Sequence, residues 1–224
     1  MVGHSGPPYT SRDPADADSE SQTDSEEEHL TDEDVESVTS QTYQVNTHPH
    51  TQRKLIDWHL EVYCKWLIVG DSNLARLTDH DVPDLQIDSF PGAHFRHAQA
   101  LFEKTVPTEG VVVETIILSF GINSRANKSK ETTIRNAQAA LRAARNRFPS
   151  AQVLVQQLNF SKNLPAEEQQ NLLILNDHVE RNMSYIPPLP DDQFSTQDDN
   201  IHWTSATCKA FLDLWRAVLN RMSP

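Results

Sequence analysis

The sequence contains no apolar run near the roughly 18 to 20 residues that a membrane helix needs, which argues against a spanning protein. Its first residues, among them Gly3, Ser5, Pro7 and Pro8, lack the charged and apolar regions of a secretory signal, so a soluble, cytoplasmic protein is expected. Cysteine is scarce. Cys64 and Cys208 show no metal-ligand spacing, and two reduced thiols in a reducing compartment are the simplest reading. The histidines His48, His50, His59, His80, His94, His97 and His178 have no Glu at zincin spacing, so no metal or other cofactor is expected. Internal repeats and sustained heptads are also missing. Basic charge is nearly absent from the N-terminal stretch: residues 1–40 hold 12 Asp/Glu against one Arg, whereas residues 41–224 hold 20 against 18. The formal charge of −13 therefore belongs to a tail, and the chain lacks the overall basic footprint of a nucleic-acid binder.

Residues 1–51 are rich in Ser, Thr, Asp, Glu, Pro and Gln and offer too little apolar surface to offset the entropy of ordering, so a disordered acidic leader is expected there. Ser21, Thr23, Ser25 and Thr31 each precede an acidic residue by three, a pattern that acidophilic kinases favour; a plain solvating spacer is the other reading. Residues 52–224 are long enough for one domain with a sizeable core. Short apolar runs alternate there with longer stretches of helical period. Trp66–Val69, Leu85–Phe90, Val111–Phe120 and Ala151–Val155 read as strands, the second with period-two alternation. His94–Lys104, Lys130–Arg147, Ala166–Met183 and Ser205–Met222 read as helices, with Ile134, Ala137, Leu141 and Ala144 on one stripe and Thr204 as the N-cap of the last. The alternation predicts an α/β fold, an open parallel sheet of about five strands covered by helices on both faces. Ligands of such sheets sit beyond the carboxyl ends of the strands.

Polar residues and glycines cluster at those ends: Asp71-Ser72-Asn73, Pro91-Gly92-Ala93 and Gly121-Ile122-Asn123 follow three of the strands, and Asp198-Asp199-Asn200-Ile201-His202 precedes the last helix. A serine hydroxyl attacks an ester only when a base takes its proton, the base is held in one tautomer, and donors meet the oxyanion. Candidates exist for each role. Ser72 is the candidate nucleophile, His202 the base, and Asp199 the orienter, with Asp198 as a rival. The N–H groups of Ser72 and Gly92 and the amide of Asn123 are candidate oxyanion donors. Each residue also has a plain structural reading: Ser72 as a helix cap, Asn123 as a turn residue, Asp198 and Asp199 as a solvated loop, and His202 as a structural side chain. His94 and His97 fit either a pocket lining or a surface helix face. Arg135, Arg142, Arg145 and Arg147, with Lys130, give one helix a basic side, which fits a solvated face or a weak RNA contact.

The blocks Gly70-Asp71-Ser72-Asn73-Leu74, Gly92, Gly121-Ile122-Asn123 and Asp199-Asn200-Ile201-His202, in order and spacing, resemble the motif blocks of the SGNH or GDSL-type hydrolases over residues 64–222. The resemblance implies a three-layer α/β/α flavodoxin-like fold and metal-free serine esterase or acyl-hydrolase activity. It implies Ser72, Asp199 and His202 as a triad, with Gly92 and Asn123 in the oxyanion hole. Ser124 departs from the Asp that often follows the third block. Gly70 to Leu77, Leu118 to Asn123 and Ile201 to Thr204 are further similar to the esterase domain in first-open-reading-frame proteins of fish LINE-type retrotransposons. That likeness implies a setting beside RNA, with peripheral membrane or lipid contact. A catalytically idle scaffold of this type, binding RNA, lipid or protein, is the alternative to an enzyme acting on a short-chain or lipid ester.

Overall fold

The computed structural model describes residues 40–44, 46–47, 54–55 and 57–222. The acidic stretch with Ser21, Thr23, Ser25 and Thr31 lies outside the described residues. Two short strands, β1 (Asn46–Thr47) and β2 (Lys54–Leu55), pair antiparallel. The main sheet has five parallel strands: β3 (Trp66–Gly70), β4 (Leu85–Ser89), β5 (Thr115–Ser119), β6 (Gln152–Gln156) and β7 (Tyr185–Ile186). Their spatial order is β4-β3-β5-β6-β7, which is the flavodoxin-like order. β7 has only two residues, too few to leave a periodic signal, which is why the sequence marked four strands by name and not this one.

Helices α1 (Phe95–Lys104), α2 (Lys130–Arg147) and α3 (Ala166–Asn182) pack on one face of the sheet, and α4 (Ser205–Met222) on the other. The architecture is three-layer α/β/α. α2 turns Ala137, Ala140 and Ala144 inward, and these small side chains leave room for Phe95 and Phe102 of α1 in the same core. On the opposite face Trp203, Phe211 and Trp215 stack in series, with ring centroids 4.1 and 5.3 Å apart, and the Trp215 indole donates to Gln156 Oε1 at 2.8 Å. Each such fully buried side chain contributes roughly 1.5–3 kcal/mol. Thr204 accepts from Thr207 N at 3.3 Å, as an N-cap does.

Two features differ from the sequence expectation. β4 alternates apolar and polar residues, yet all five are buried. Its polar side chains meet chain, not water: Gln86 accepts from Tyr63 N at 2.9 Å and donates to Glu61 O at 2.7 Å, and Asp88 accepts from Gln41 N at 3.1 Å and from Gln86 Nε2 at 2.8 Å. Burial pushes Asp88 up to about 6. The second difference is at the leader boundary. Ser40–Gln44, which the sequence assigns to the leader, run along β4: Ser89 N donates to Gln41 O at 2.8 Å, Tyr43 N donates to Ser89 O at 2.9 Å, and the Tyr43 ring stacks on Phe90 at 4.4 Å. Main-chain bonds, the Asp88 carboxylate, the Ser40 hydroxyl and one aromatic hold this strap, so no apolar run announces it.

The register aligns the strand ends. Gly70 faces Ser89 on one side and Ser119 on the other, so the loops after β3, β4 and β5 leave the sheet at one level. Gly70 has no alternative residue: a Cβ there would lie 2.4 Å from Ser119 O.

Candidate active site

The first loop begins with Asp71 and enters a 3-10 turn over Ser72–Arg76. Asp71 caps it by accepting from Asn73 N at 3.1 Å, and burial pushes the Asp71 carboxyl up to about 7. Ser72 stands at the first position of the turn, with its side chain at the carboxyl edge of the sheet. The second loop is a β-turn in which Ala93 N donates to Phe90 O at 2.9 Å and Gly92 has φ 79°, the left-handed value its third position requires. The third loop starts at Gly121, φ 138°, where a Cβ would meet Leu158 at 2.7 Å. It carries Asn123, whose Nδ2 donates to Ala93 O at 2.9 Å and ties the second and third loops together.

The structure brings Ser72, His202 and Asp199 together. Ser72 Oγ lies 3.1 Å from His202 Nε2, and His202 Nδ1 lies 2.5 Å from Asp199 Oδ2. A carboxylate only accepts, so Nδ1 carries the proton and Nε2 presents its lone pair to the serine hydroxyl. Asp199 Oδ1 accepts from Ile201 N and His202 N, each at 2.9 Å. The hydrogen bond from His202 holds its carboxyl down at about 2, although the side chain is largely open to water. Asp198, the rival orienter, is exposed, and among the described residues only its backbone carbonyl is engaged, by Asn200 at 3.5 Å. Among the described residues, neither Ser72 N nor Gly92 N donates to a protein acceptor, and Asn123 Nδ2 makes no protein hydrogen bond besides that to Ala93 O.

Several residues that hold this arrangement carried no role in the sequence reading. Asn73 is buried and its Oδ1 accepts from Trp203 N at 3.0 Å, which pins the residue after His202 to the residue after Ser72. Arg76 Nη1 and Gln197 Nε2 donate to Trp203 O at 3.4 and 3.0 Å. Asn200, φ 59°, accepts at Oδ1 from Ser161 Oγ at 2.9 Å and Asn163 Nδ2 at 3.2 Å. Phe160 and Ile201 pack around Ile122, Leu164 and Leu172, so apolar contacts flank both Asn123 and His202. Adjacency to the motif residues is the only sequence signal any of these had.

His94 and His97 join the first turn of α1: His94 N donates to His97 Nδ1 at 3.0 Å, and His94 Nδ1 lies 3.5 Å from Ser124 Oγ. His94 also lines a cleft, so the two readings of this pair meet in one residue. Arg135, Arg142 and Arg145 are exposed on α2. Cys64 and Cys208 are free, and burial raises both thiols. Among the described residues no helix is long and apolar enough to cross a membrane.

The fold is that of solved esterases and lipases. The chain superposes on a GDSL-like lipase from Bacteroides thetaiotaomicron with a TM-score of 0.54 at 12% identity, covering 70% of this chain and 88% of that one. A lipase/acylhydrolase from Enterococcus faecalis gives 0.52 at 15% identity over 71% and 98% of the two chains. A carbohydrate esterase family 3 protein from Talaromyces cellulolyticus gives 0.50 at 13% identity over 71% and 98%. No family model matches the chain, and no curated protein matches it in sequence.

Proposed function

We propose that this protein is a serine esterase of the SGNH type that hydrolyses carboxylic esters through Ser72, His202 and Asp199. The observation that carries the reading is the continuous relay from Ser72 Oγ through His202 to Asp199, at 3.1 and 2.5 Å. Ser72 Oγ bonds to the acyl carbon while its proton passes to His202 Nε2. The oxyanion meets Ser72 N, Gly92 N and Asn123 Nδ2. The tetrahedral adduct expels the alcohol, which leaves with the proton from His202. Water then gives a proton to the same nitrogen as it attacks the acyl-enzyme, and the second adduct collapses with that proton passing back to Ser72 Oγ, which releases the acid and restores Ser72. Asp199 holds the imidazole in the tautomer that this sequence of transfers needs.

The side chains of His202 and Asp199 are 42% and 44% exposed, an open site that favours short acyl groups such as acetyl. A cytoplasmic setting accords with the two unpaired thiols. The shared phrases around Ser72, Asn123 and His202 support kinship with retrotransposon-encoded esterases, and exposed Arg135, Arg142 and Arg145 support a weak RNA contact. The test is hydrolysis of 4-nitrophenyl acetate, butyrate and palmitate by wild type and Ser72→Ala. Wild type is expected to prefer the short esters and the variant to lose about a thousandfold or more in kcat. Equal turnover by the two proteins would sink the enzyme reading and favour an idle binding scaffold.

A further inference from the structure

A cleft of about 260 Å³ adjoins the loops that carry Gly92 and Asn123. All seven of its lining residues are polar, none is acidic, and two are cations, Arg96 and Lys128. Its place is fixed by His94, two residues after Gly92, whose Nδ1 lies 3.5 Å from the hydroxyl of Ser124, the residue after Asn123. The cleft therefore opens where both candidate oxyanion loops end.

Charge at this place is mostly positive. From Thr115 to Ser150 the chain holds seven Lys/Arg and a single acid, Glu131. Arg96 and Lys128 make no ion pair among the described residues, whereas Lys65, Arg125, Lys162, Arg181 and Arg216 each meet a carboxylate. Arg96 Nε lies 3.2 Å from His97 Nε2, a neighbour that does not neutralise the arginine. Asn127, Thr132 and Asn136 add neutral hydrogen-bonding groups to the wall. Glu131 accepts from Ser129 Oγ at 3.2 Å and is the one acid among the described residues that is bonded to a lining residue. At this volume the cleft is smaller than the roughly 300–1,000 Å³ of a complete small-molecule site, which suits one charged group of a larger ligand.

We infer that this cleft is an anion subsite for the ester that reacts at Ser72: the substrate carries a phosphate-type oxyanion, and Arg96 and Lys128 pair with it. The inference rests on the esterase reading above and names the substrate class for it. Charge-assisted hydrogen bonds to the oxyanion place the ester carbonyl against the oxyanion donors, and the cationic field gathers anionic esters from solution.

The experiment compares acetate release from 1-acetylglycerol 3-phosphate with hydrolysis of neutral 4-nitrophenyl acetate, each read as kcat/KM. The ratio of the two is expected to fall about tenfold in the double variant Arg96→Ala/Lys128→Ala, mainly through KM for the phosphate ester. It is expected to rise in Glu131→Gln and to fall as salt is added. Free inorganic phosphate should compete with the phosphate ester in wild type and compete less in the double variant. A ratio indifferent to both variants and to salt, or a wild type that hydrolyses only the neutral ester, would overturn the anion subsite and leave the esterase intact. A wild type that hydrolyses neither ester overturns both.

Discussion

At the scale of single residues, two aspartates near Ser72 are driven in opposite directions. Asp199 is open to water, but the His202 imidazole and two backbone N–H groups hold its carboxyl at about 2. A depressed value means its favourable contribution is present above the ordinary carboxylate range and is lost only as pH falls through about 2. It stays charged across any pH at which the protein is assayed. Asp71 is the reverse case, raised from 3.8 to about 7 by burial. Its contribution to stability is complete below about pH 4 and declines as pH rises to about 7, because the charged form is penalised in the fold. Asp88, raised to about 6, acts with the same sign. Asp71→Asn keeps an oxygen for Asn73 N and removes one titration. The loss of Tm between pH 5 and pH 8 should narrow by roughly 5 °C in that variant, as thermal unfolding at the two pH values would show. An unchanged span would mean that Asp71 does not titrate in the folded protein over this range.

At the scale of elements, the site is an assembly of loop ends and depends on bonds between them. The loop before α4 carries both Asp199 and His202 and is fastened to the turn after β3 by the buried bond from Trp203 N to Asn73 Oδ1, beside the Arg76 Nη1 bond to Trp203 O and the Ser72–His202 contact. Asn73→Ala leaves that buried N–H unpaired, which costs about 1–3 kcal/mol. The variant should unfold at lower denaturant concentration and also lose kcat for neutral esters, while Asn73→Asp, which keeps an acceptor, should restore much of both. If Asn73→Ala loses stability with kcat intact, Asn73 supports the fold and not the histidine. The elements also show where a sequence stops being informative. Burial on both faces made Trp66–Val69 readable as a strand, since a continuous apolar run has one economical explanation. β4 gave a misleading alternation because Gln86 and Asp88 satisfy their polarity against Glu61, Tyr63 and Gln41, contacts that no local pattern encodes. The third strand likewise begins at Thr115 and not at Val111, since Val112 stands 69% exposed ahead of it.

At the scale of the whole molecule, charge is segregated along the chain: acid dominates residues 1–40, and base dominates Thr115 to Ser150. The basic side is α2, where Arg135, Arg142 and Arg145 face solvent. If three such cations meet phosphates, RNA affinity should fall with salt at a logarithmic slope of about −2. Filter binding across salt concentrations, with the triple alanine variant as comparison, measures it; a slope near zero for wild type removes RNA from the list of partners. Much of the candidate site was legible at this scale because the chemistry proposed for it needs particular residue types at strand ends. Ser72 and Asn123 each have a short polar loop, Asp199 and His202 share a third, and a parallel sheet gathers such loops at one edge. Asn73, Asn200 and Ser161 were not legible, since their partners are far away in sequence and their roles are geometric.

The bond between Ser72 and His202 joins residues 130 positions apart. During synthesis the serine emerges first, and at about 5–20 residues per second the histidine follows it by roughly 7 to 26 seconds. α4, whose Phe211 and Trp215 cover the second face of the sheet, comes later still. Through that interval the nascent chain holds a serine hydroxyl with no base beside it. The order of the residues along the messenger thus keeps the proposed relay incomplete until every strand of the main sheet has been made.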